Sequence, residues 1–202
     1  MDRDHQTSDV LVGAAPATVV APCARARTEV LPDGTLIRIE PLRRGDRSAV
    51  TGLFARLSPE SRLRRFLSPK SSLSEREVTF LADVGRAERA AMTAVDVRDG
   101  SILGIARYVE HAGRPGVADT AVAVADEMQR RGIGSALMRR LIACARSNGF
   151  HVLTATTLWE NRPARALMRT AGFQARASAG AEIELALELD PLLRRKPDRV
   201  GS

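Results

Sequence analysis

The chain has 202 residues, 44% of them hydrophobic and 3% aromatic, which suits one sizeable domain with an aliphatic core. No run approaches the ~20 apolar residues of a membrane-spanning helix, so a membrane protein is not expected. The formal net charge of +7 favours a polyanionic partner: nucleic acid, an acidic membrane surface or a phosphate-bearing small molecule. Because no helix-turn-helix, zinc-finger or RNA-binding signature accompanies the charge, nucleic acid is not the expected partner.

The N-terminal segment shows no stable hydrophobic period, and we predict a disordered leader over residues 1–34. Its apolar part, Val10 to Ala24, follows acidic residues and contains prolines, unlike a secretory signal. Two cysteines, Cys23 and Cys144, are too few for a disulfide framework. We therefore predict a cytoplasmic protein in which Cys144 is packed in the core.

Local patterns predict the elements that follow. Ser58-Pro59-Glu60 is a helix start, since serine caps the helix and proline fits its first position. Ser74-Glu75-Arg76-Glu77 is a capping box. The other predicted elements are a strand at Thr35 to Glu40, a helix at Asp46 to Leu57, a hairpin of Ala90 to Val97 with Ile102 to Val109, strands at Asp119 to Val124, Phe150 to Thr157 and Ala181 to Leu189, and a helix that Asn161 caps and Ala171-Gly172 ends.

The most informative stretch joins the strand Asp119 to Val124 to a long helix through a glycine-bearing loop. From Ile133 the apolar residues recur at helical spacing, so Gly132 and Gly134 lie at the helix N-terminus. Free N–H groups and the helix dipole make such a position an anion site, suited to phosphate. The plainer alternative is an ordinary helix start whose glycines only permit a tight turn.

Two common phosphate motifs do not fit this loop. A P-loop requires lysine after its last glycine, and Gly134 is followed by Ser135. The dinucleotide fingerprint requires a third glycine where Leu137 stands. Instead, Gln129 to Gly134 resembles the Q/R-x-x-G-x-G/A pyrophosphate loop of the GCN5-related N-acetyltransferases (GNAT), and Glu160 to Phe173 resembles the second conserved segment of that family.

The resemblance covers roughly Thr35 to Leu189. It implies an α/β (α+β) GNAT fold, with a mixed, mostly antiparallel central sheet and helices on both faces. The implied organisation is a leader at 1–34, an acetyltransferase domain at 35–190 and a flexible basic tail at 191–202. Acetyl-CoA is the implied co-substrate, and no metal-ligand cluster is apparent. The implied cofactor-binding residues are Val122, Ala123, Val124, Gln129, Arg130, Arg131, Gly132, Ile133, Gly134, Ser135 and Asn161.

Two shorter segments, Ser58 to Phe66 and Ala106-Arg107-Tyr108, are similar to the bacterial protein lysine acetyltransferases. In that subgroup a glutamate on the strand before the loop deprotonates the amine, and Asp119 stands at this position here. Because aspartate is one methylene shorter, a bridging water is expected; a solvent-facing strand residue is the structural alternative. His111 is a second candidate base, although an exposed loop histidine needs no such role.

The leaving thiol has no obvious acid. Many GNAT enzymes use a tyrosine where this chain has Met168, which cannot donate a proton. A thiol with a pKa near ~8.5 can leave as a thiolate. Cys144 is a poor nucleophile at a packed position, and this favours direct transfer in a ternary complex.

The sequence therefore predicts an N-acetyltransferase that acts on a primary amine, with a protein lysine as the favoured acceptor. One alternative is a small amine: a polyamine, an aminoglycoside or an amino acid. Another is a non-catalytic CoA-sensing module with a basic surface. The oligomeric state stays open.

Overall fold

The computed structural model describes residues 21–189, without the side chains of Ala21 and Pro22. Eight strands form one sheet in the order β1-β2-β3-β4-β5-β6-β8-β7, and every neighbouring pair is antiparallel except β5 with β6. The strands are β1 (Arg27–Val30), β2 (Leu36–Pro41), β3 (Arg89–Asp96), β4 (Ile102–Glu110), β5 (Val117–Val124), β6 (Val152–Leu158), β7 (Gln174–Ala179) and β8 (Glu182–Glu188). The helices are α1 (Ala21–Ala24), α2 (Arg47–Ala55), α3 (Pro59–Phe66), α4 (Glu75–Ala82), α5 (Ile133–Ser147) and α6 (Arg162–Thr170).

Helices cover both faces of this sheet. The apolar stripe of α5 packs on β3, β4 and β5, and its residues Leu137, Met138 and Leu141 are fully buried. On the opposite face α2 and α4 enclose a smaller core that includes Val50 and Val84. The predicted fold class, a mixed and mostly antiparallel sheet between helices, is confirmed.

The predicted helix starts are also confirmed. Ser58 Oγ accepts the Ser61 N–H at 3.2 Å. Ser74 and Glu77 form the reciprocal capping box, in which the Ser74 N–H donates to the Glu77 carboxylate at 2.8 Å. These caps depend on residues three positions apart, and local sequence is therefore sufficient to identify them.

The structure corrects the prediction of an unstructured segment up to residue 34. Helix α1 and strand β1 lie inside that segment, and β1 pairs with β2 through the Thr28–Arg38 register. Residues 1–20 of the predicted leader and the predicted tail at 191–202 lie outside the described residues. Strand β7 was also missed, because its residues Gln174–Ala179 are all exposed and lack apolar alternation.

The cysteine prediction was wrong in one respect. Cys144 is buried in the core as expected, but it forms a disulfide with Cys23, which lies on α1. The two residues are 121 positions apart, and only the packing of α1 against α5 brings them together. Among residues 21–189, no helix is long and apolar enough to cross a membrane.

Candidate functional site

A cleft opens in the sheet where its two parallel strands separate. β5 pairs with β6 from Val117 to Asp119, and past this point β5 continues beside β4 while β6 continues beside β8. The gap widens into a cleft of about 930 Å³. The loop before α5, helix α6 along its length and one side of α3 border it. The separation of the two strands therefore creates this concave surface.

Part of the β5 backbone faces this cleft. The Ala125 N–H donates to the Leu103 carbonyl at 2.9 Å, and in an antiparallel ladder the residues that face the partner strand alternate with those that face away. The N–H groups of Val122 and Val124 therefore point away from β4 and toward the gap, whereas that of Ala123 points toward β4. All three residues predicted for the acyl end line the cleft.

The loop before α5 presents a row of free amides. Gly132 is the N-cap of α5 and has a φ of 95°, a left-handed conformation that glycine adopts without strain. The N–H of Ala136 bonds to the Gly132 carbonyl at 3.0 Å, but the six amides from Arg130 to Ser135 have no acceptor within residues 21–189. Free amides at the positive end of a helix dipole bind phosphate groups.

The second glycine of the loop lets α6 come close. A Cβ built on Gly134 would lie 3.1 Å from Leu167 Cδ2 and 3.9 Å from a methyl group of Val124. Ile133, between the two glycines, is 1% exposed and packs in the core. Ile133 was predicted to bind the cofactor, and only its backbone is placed to do so.

Two residues predicted to bind the cofactor, Gln129 and Arg131, have side chains that bond within the protein. Gln129 Nε2 donates to the last carbonyl of β5 and to Ser61 Oγ on α3, at 3.2 Å each. Arg131 forms an ion pair with Asp33 and donates to Thr35 Oγ1 at 2.6 Å. The Thr35 N–H and the Arg131 guanidinium lower the pKa of Asp33 to about 2. These contacts fasten the loop to α3 and to the β1–β2 turn.

The remaining polar residues of the predicted set, Arg130, Ser135 and Asn161, also line the cleft. Arg130 is exposed and Ser135 is half-buried. Asn161 is 6% exposed; its Oδ1 accepts the Ala164 N–H and its Nδ2 donates to Thr157 Oγ1, at 3.2 Å each. Asn161 thus caps α6, which places a second helix N-terminus on the cleft wall.

The two candidate bases lie next to each other where the cleft begins. Asp119 occupies the last paired position of β5 with 62% of its side chain exposed, and it accepts a hydrogen bond from Thr154 Oγ1. His111 Nε2 lies 3.9 Å from Asp119 Oδ2. His111 Nδ1 lies 3.2 Å from the Ala112 carbonyl oxygen, an acceptor that requires Nδ1 to carry hydrogen. The Asp119 side chain is beside the cleft and does not line it.

The structure also places the two residues considered for the leaving group and the nucleophile. Met168 is 5% exposed and lines the cleft, so a thioether stands where the family resemblance implies a tyrosine. Cys144 is bonded to Cys23 and has no free thiol. Neither residue can transfer a proton or form an acyl-enzyme.

Several cleft residues were missed by sequence reasoning. The α3 segment is similar to the protein lysine acetyltransferases, but the sequence indicated no role for its arginines; Arg64 and Arg65 line the cleft. Thr156 and Thr157 of β6 line it from the other side; the only signal for them was a β-branched run typical of any strand. Within residues 21–189, no group of three or more His, Cys, Asp or Glu is arranged to hold a metal ion.

Comparison with known proteins identifies relatives of the whole site region. Residues 59–173 match the Acetyltransferase (GNAT) family. A curated acetyltransferase of Pseudomonas aeruginosa is 35% identical over 147 residues, which are 72% of this chain and 78% of that protein. The acetyltransferase Pat of Mycolicibacterium smegmatis is 30% identical over 142 residues. The match spans 69% of this chain but only 41% of Pat.

Solved structures share the fold. The GNAT domain of S. lividans PAT superimposes with a TM-score of 0.74 at 26% identity, covering 81% of this chain and 96% of that domain. YncA of Salmonella typhimurium, whose structure was solved with its cofactor acetyl-CoA, superimposes with a TM-score of 0.62 at 19% identity, covering 81% of this chain and 98% of that protein. The sheet with its separated parallel strands is thus a GNAT fold.

Proposed function

Because the chain belongs to the Acetyltransferase (GNAT) family, we propose that it transfers an acetyl group from acetyl-CoA to a primary amine. The six free amides from Arg130 to Ser135 carry this proposal. They offer the pyrophosphate of coenzyme A the donors and the dipole that a polyanion needs. The cleft of about 930 Å³ can also hold an extended ligand between β5 and β6.

Coenzyme A fits the residues present. The amides of Val122 and Val124 face the cleft and can bond the amide-bearing arm of the cofactor, with Ala123 between them at its acyl end. Acetyl-CoA supplies the acetyl group as a thioester. A backbone N–H directed at the negative charge that develops on the acyl oxygen contributes about 2.7–4 kcal/mol at such a site.

The proposed base is Asp119, with His111 beside it. A lysine-like amine has a pKa near ~10.4 and arrives protonated, so a base must take its proton. Because Asp119 borders the cleft without lining it, we assign the transfer to a bridging water. The imidazole at 3.9 Å is placed to share the proton once the carboxylate has received it.

The leaving group needs no dedicated acid in this proposal. Met168 is the cleft residue at the family's acid position, and a thioether donates no proton. A thiol with a pKa near ~8.5 leaves as a thiolate that solvent can protonate. Direct attack of the amine in a ternary complex then completes the transfer, since neither cysteine has a free thiol.

A protein lysine is the favoured acceptor. The similarity of the α3 segment to the protein lysine acetyltransferases and the 26% identity with the S. lividans PAT domain support this acceptor. A small amine is the second candidate, and one observation favours it: two arginines, Arg65 and Arg107, line a small cavity that shares part of its wall with the cleft.

A calorimetric titration with acetyl-CoA tests the proposal, followed by a thiol-release assay with lysine peptides and small amines. We expect micromolar binding and release of coenzyme A only when an amine is present. Absence of binding would refute the proposal. Binding without thiol release from any amine would instead support the CoA-sensing alternative, for which a salt-sensitive DNA gel shift is the next measurement.

A further inference from the structure

A buried arginine on β4, Arg107, has no carboxylate partner in the part of the chain that the structure describes. It is 5% exposed and lies under α4, with its guanidinium 4.9 Å from the Phe80 ring centroid. Its Nη2 lies 3.5 Å from the Phe80 carbonyl oxygen, the outer limit of a hydrogen bond, and its Nη1 has no partner within residues 21–189. Burying an uncompensated charge is costly, and this position therefore indicates a ligand.

A second guanidinium shares the surroundings of Arg107. Arg65, on α3, lines the same cavity, and no ion pair involving Arg65 is found among the described residues. Burial lowers the pKa of both guanidinium groups to about 10, and the charge of Arg65 adds to the effect on Arg107. The carboxylate that influences Arg107, Asp83, is already bonded to Arg89 at 3.0 Å. Two cations that share a cavity without an acid form a site for an anion.

The cavity between these arginines has room for a small anionic group. Its volume is about 50 Å³, several times the about 10–15 Å³ that one water requires. The rest of its wall is apolar, with Phe54, Leu57 and Ala123 among its residues. An anion held there would be shielded from water, and its bonds to two guanidinium groups would be strong.

The position of the cavity separates a site for the acceptor from the loop proposed to bind the cofactor. Leu57, Arg65 and Ala123 line both this cavity and the cleft, so the cavity opens beside the acyl end of β5. Side chains of successive strand residues point to opposite faces. Ala123 faces the cavity, whereas the Val124 side chain approaches Gly134 at the start of α5. The phosphate loop and the cavity are therefore on opposite faces of β5.

We propose that Arg65 and Arg107 bind a carboxylate carried by the acceptor amine. The inference rests on the proposed acetyl transfer and specifies its acceptor: a molecule with an amine to acetylate and a carboxylate at a fixed distance from it. Guanidinium groups match the planar carboxylate with paired N–H donors. An amino acid supplies both groups, and so does a peptide with an acidic residue near its lysine.

Matched acceptors test this inference in the thiol-release assay with the full chain and saturating acetyl-CoA. Lysine is compared with cadaverine, which differs only by the carboxylate, and 6-aminohexanoate with hexylamine. A lysine peptide with a neighbouring glutamate is compared with its glutamine counterpart, which separates a peptide source from a free amino acid. The variants are Arg65→Gln and Arg107→Gln. Arg89→Gln is the control, since Arg89 also lies over Phe80 but pairs with Asp83.

We expect the carboxylated member of at least one pair to have a kcat/KM about 10- to 100-fold above its partner. Arg65→Gln and Arg107→Gln should abolish this preference, whereas Arg89→Gln should keep it. Arg107→Gln should also leave the acetyl-CoA Kd unchanged, since Arg107 does not line the cleft. If Arg107→Gln does not fold, Arg65→Gln on the half-buried α3 carries the test. Equal rates within every pair, or a preference that survives Arg65→Gln, would overturn the inference while acetyl transfer stands. No thiol release with any amine would refute the proposed function itself.

Discussion

Replacing Gly132 by alanine should weaken acetyl-CoA binding, because Gly132 directs the free amides at the start of α5. Its φ of 95° is left-handed, which costs an L-residue ~1–2 kcal/mol. The new Cβ would also lie 3.3 Å from Pro32 Cδ. The alanine variant relieves this strain by leaving the left-handed conformation. Ligand binding must then restore that conformation, and its cost is subtracted from the binding free energy. A penalty of ~1–2 kcal/mol corresponds to an affinity about 5- to 30-fold weaker.

The assay is a calorimetric titration with acetyl-CoA, run beside thermal unfolding. Gly149→Ala is the matched control: Gly149 has a φ of 82° at the other end of α5, and a Cβ there meets no atom within 4 Å. Both variants should lose stability, but only Gly132→Ala should lose affinity. Gly134→Ala should have a smaller effect, since the atom it approaches is the flexible end of Leu167. Wild-type affinity in Gly132→Ala, with Gly149→Ala destabilised as expected, would refute the reasoning.

Three further predictions concern the base, the disulfide and the loop anchor. Asp119→Asn should lower turnover at neutral pH by about 100-fold or more with acetyl-CoA affinity retained, and unchanged turnover would exclude Asp119 as the base. The Cys23–Cys144 bond spans 121 positions, and by loop-closure entropy it should stabilise the fold by at most ~5 kcal/mol. Dithiothreitol should therefore lower the Tm of the wild type but not that of Cys23→Ala. Two reactive thiols found before reduction would show that the bond is not formed. Asp33 has a folded-state pKa of about 2, below the ~3.9 of an unfolded chain, so its contribution is complete above about pH 4 and lost toward pH 2. The difference in Tm between wild type and Asp33→Asn should therefore shrink over that interval, and a constant difference would contradict the ion pair with Arg131.

The sequence by itself determined the elements whose signals are local. Caps such as Ser58 and Ser74 depend on residues within one helical turn. The strand, glycine loop and helix around Gly132 are contiguous in sequence. Their backbone N–H groups form the anion site without any contribution from a distant residue. The same locality explains why the family could be recognised from a few short segments.

Tertiary structure alone decided which distant residues meet. Helix α1 and strand β1 were missed because their stability comes from pairing with β2 and packing on α5, not from a hydrophobic period of their own. Gln129 was predicted to bind the cofactor, but its side chain bonds to Ser61, 68 positions away. Arg65 and Arg107 are ordinary basic residues in sequence, and only the crossing of α3 over the sheet leaves them together without an acid. Long-range burial sets the partner of a charged side chain, and no local pattern encodes it.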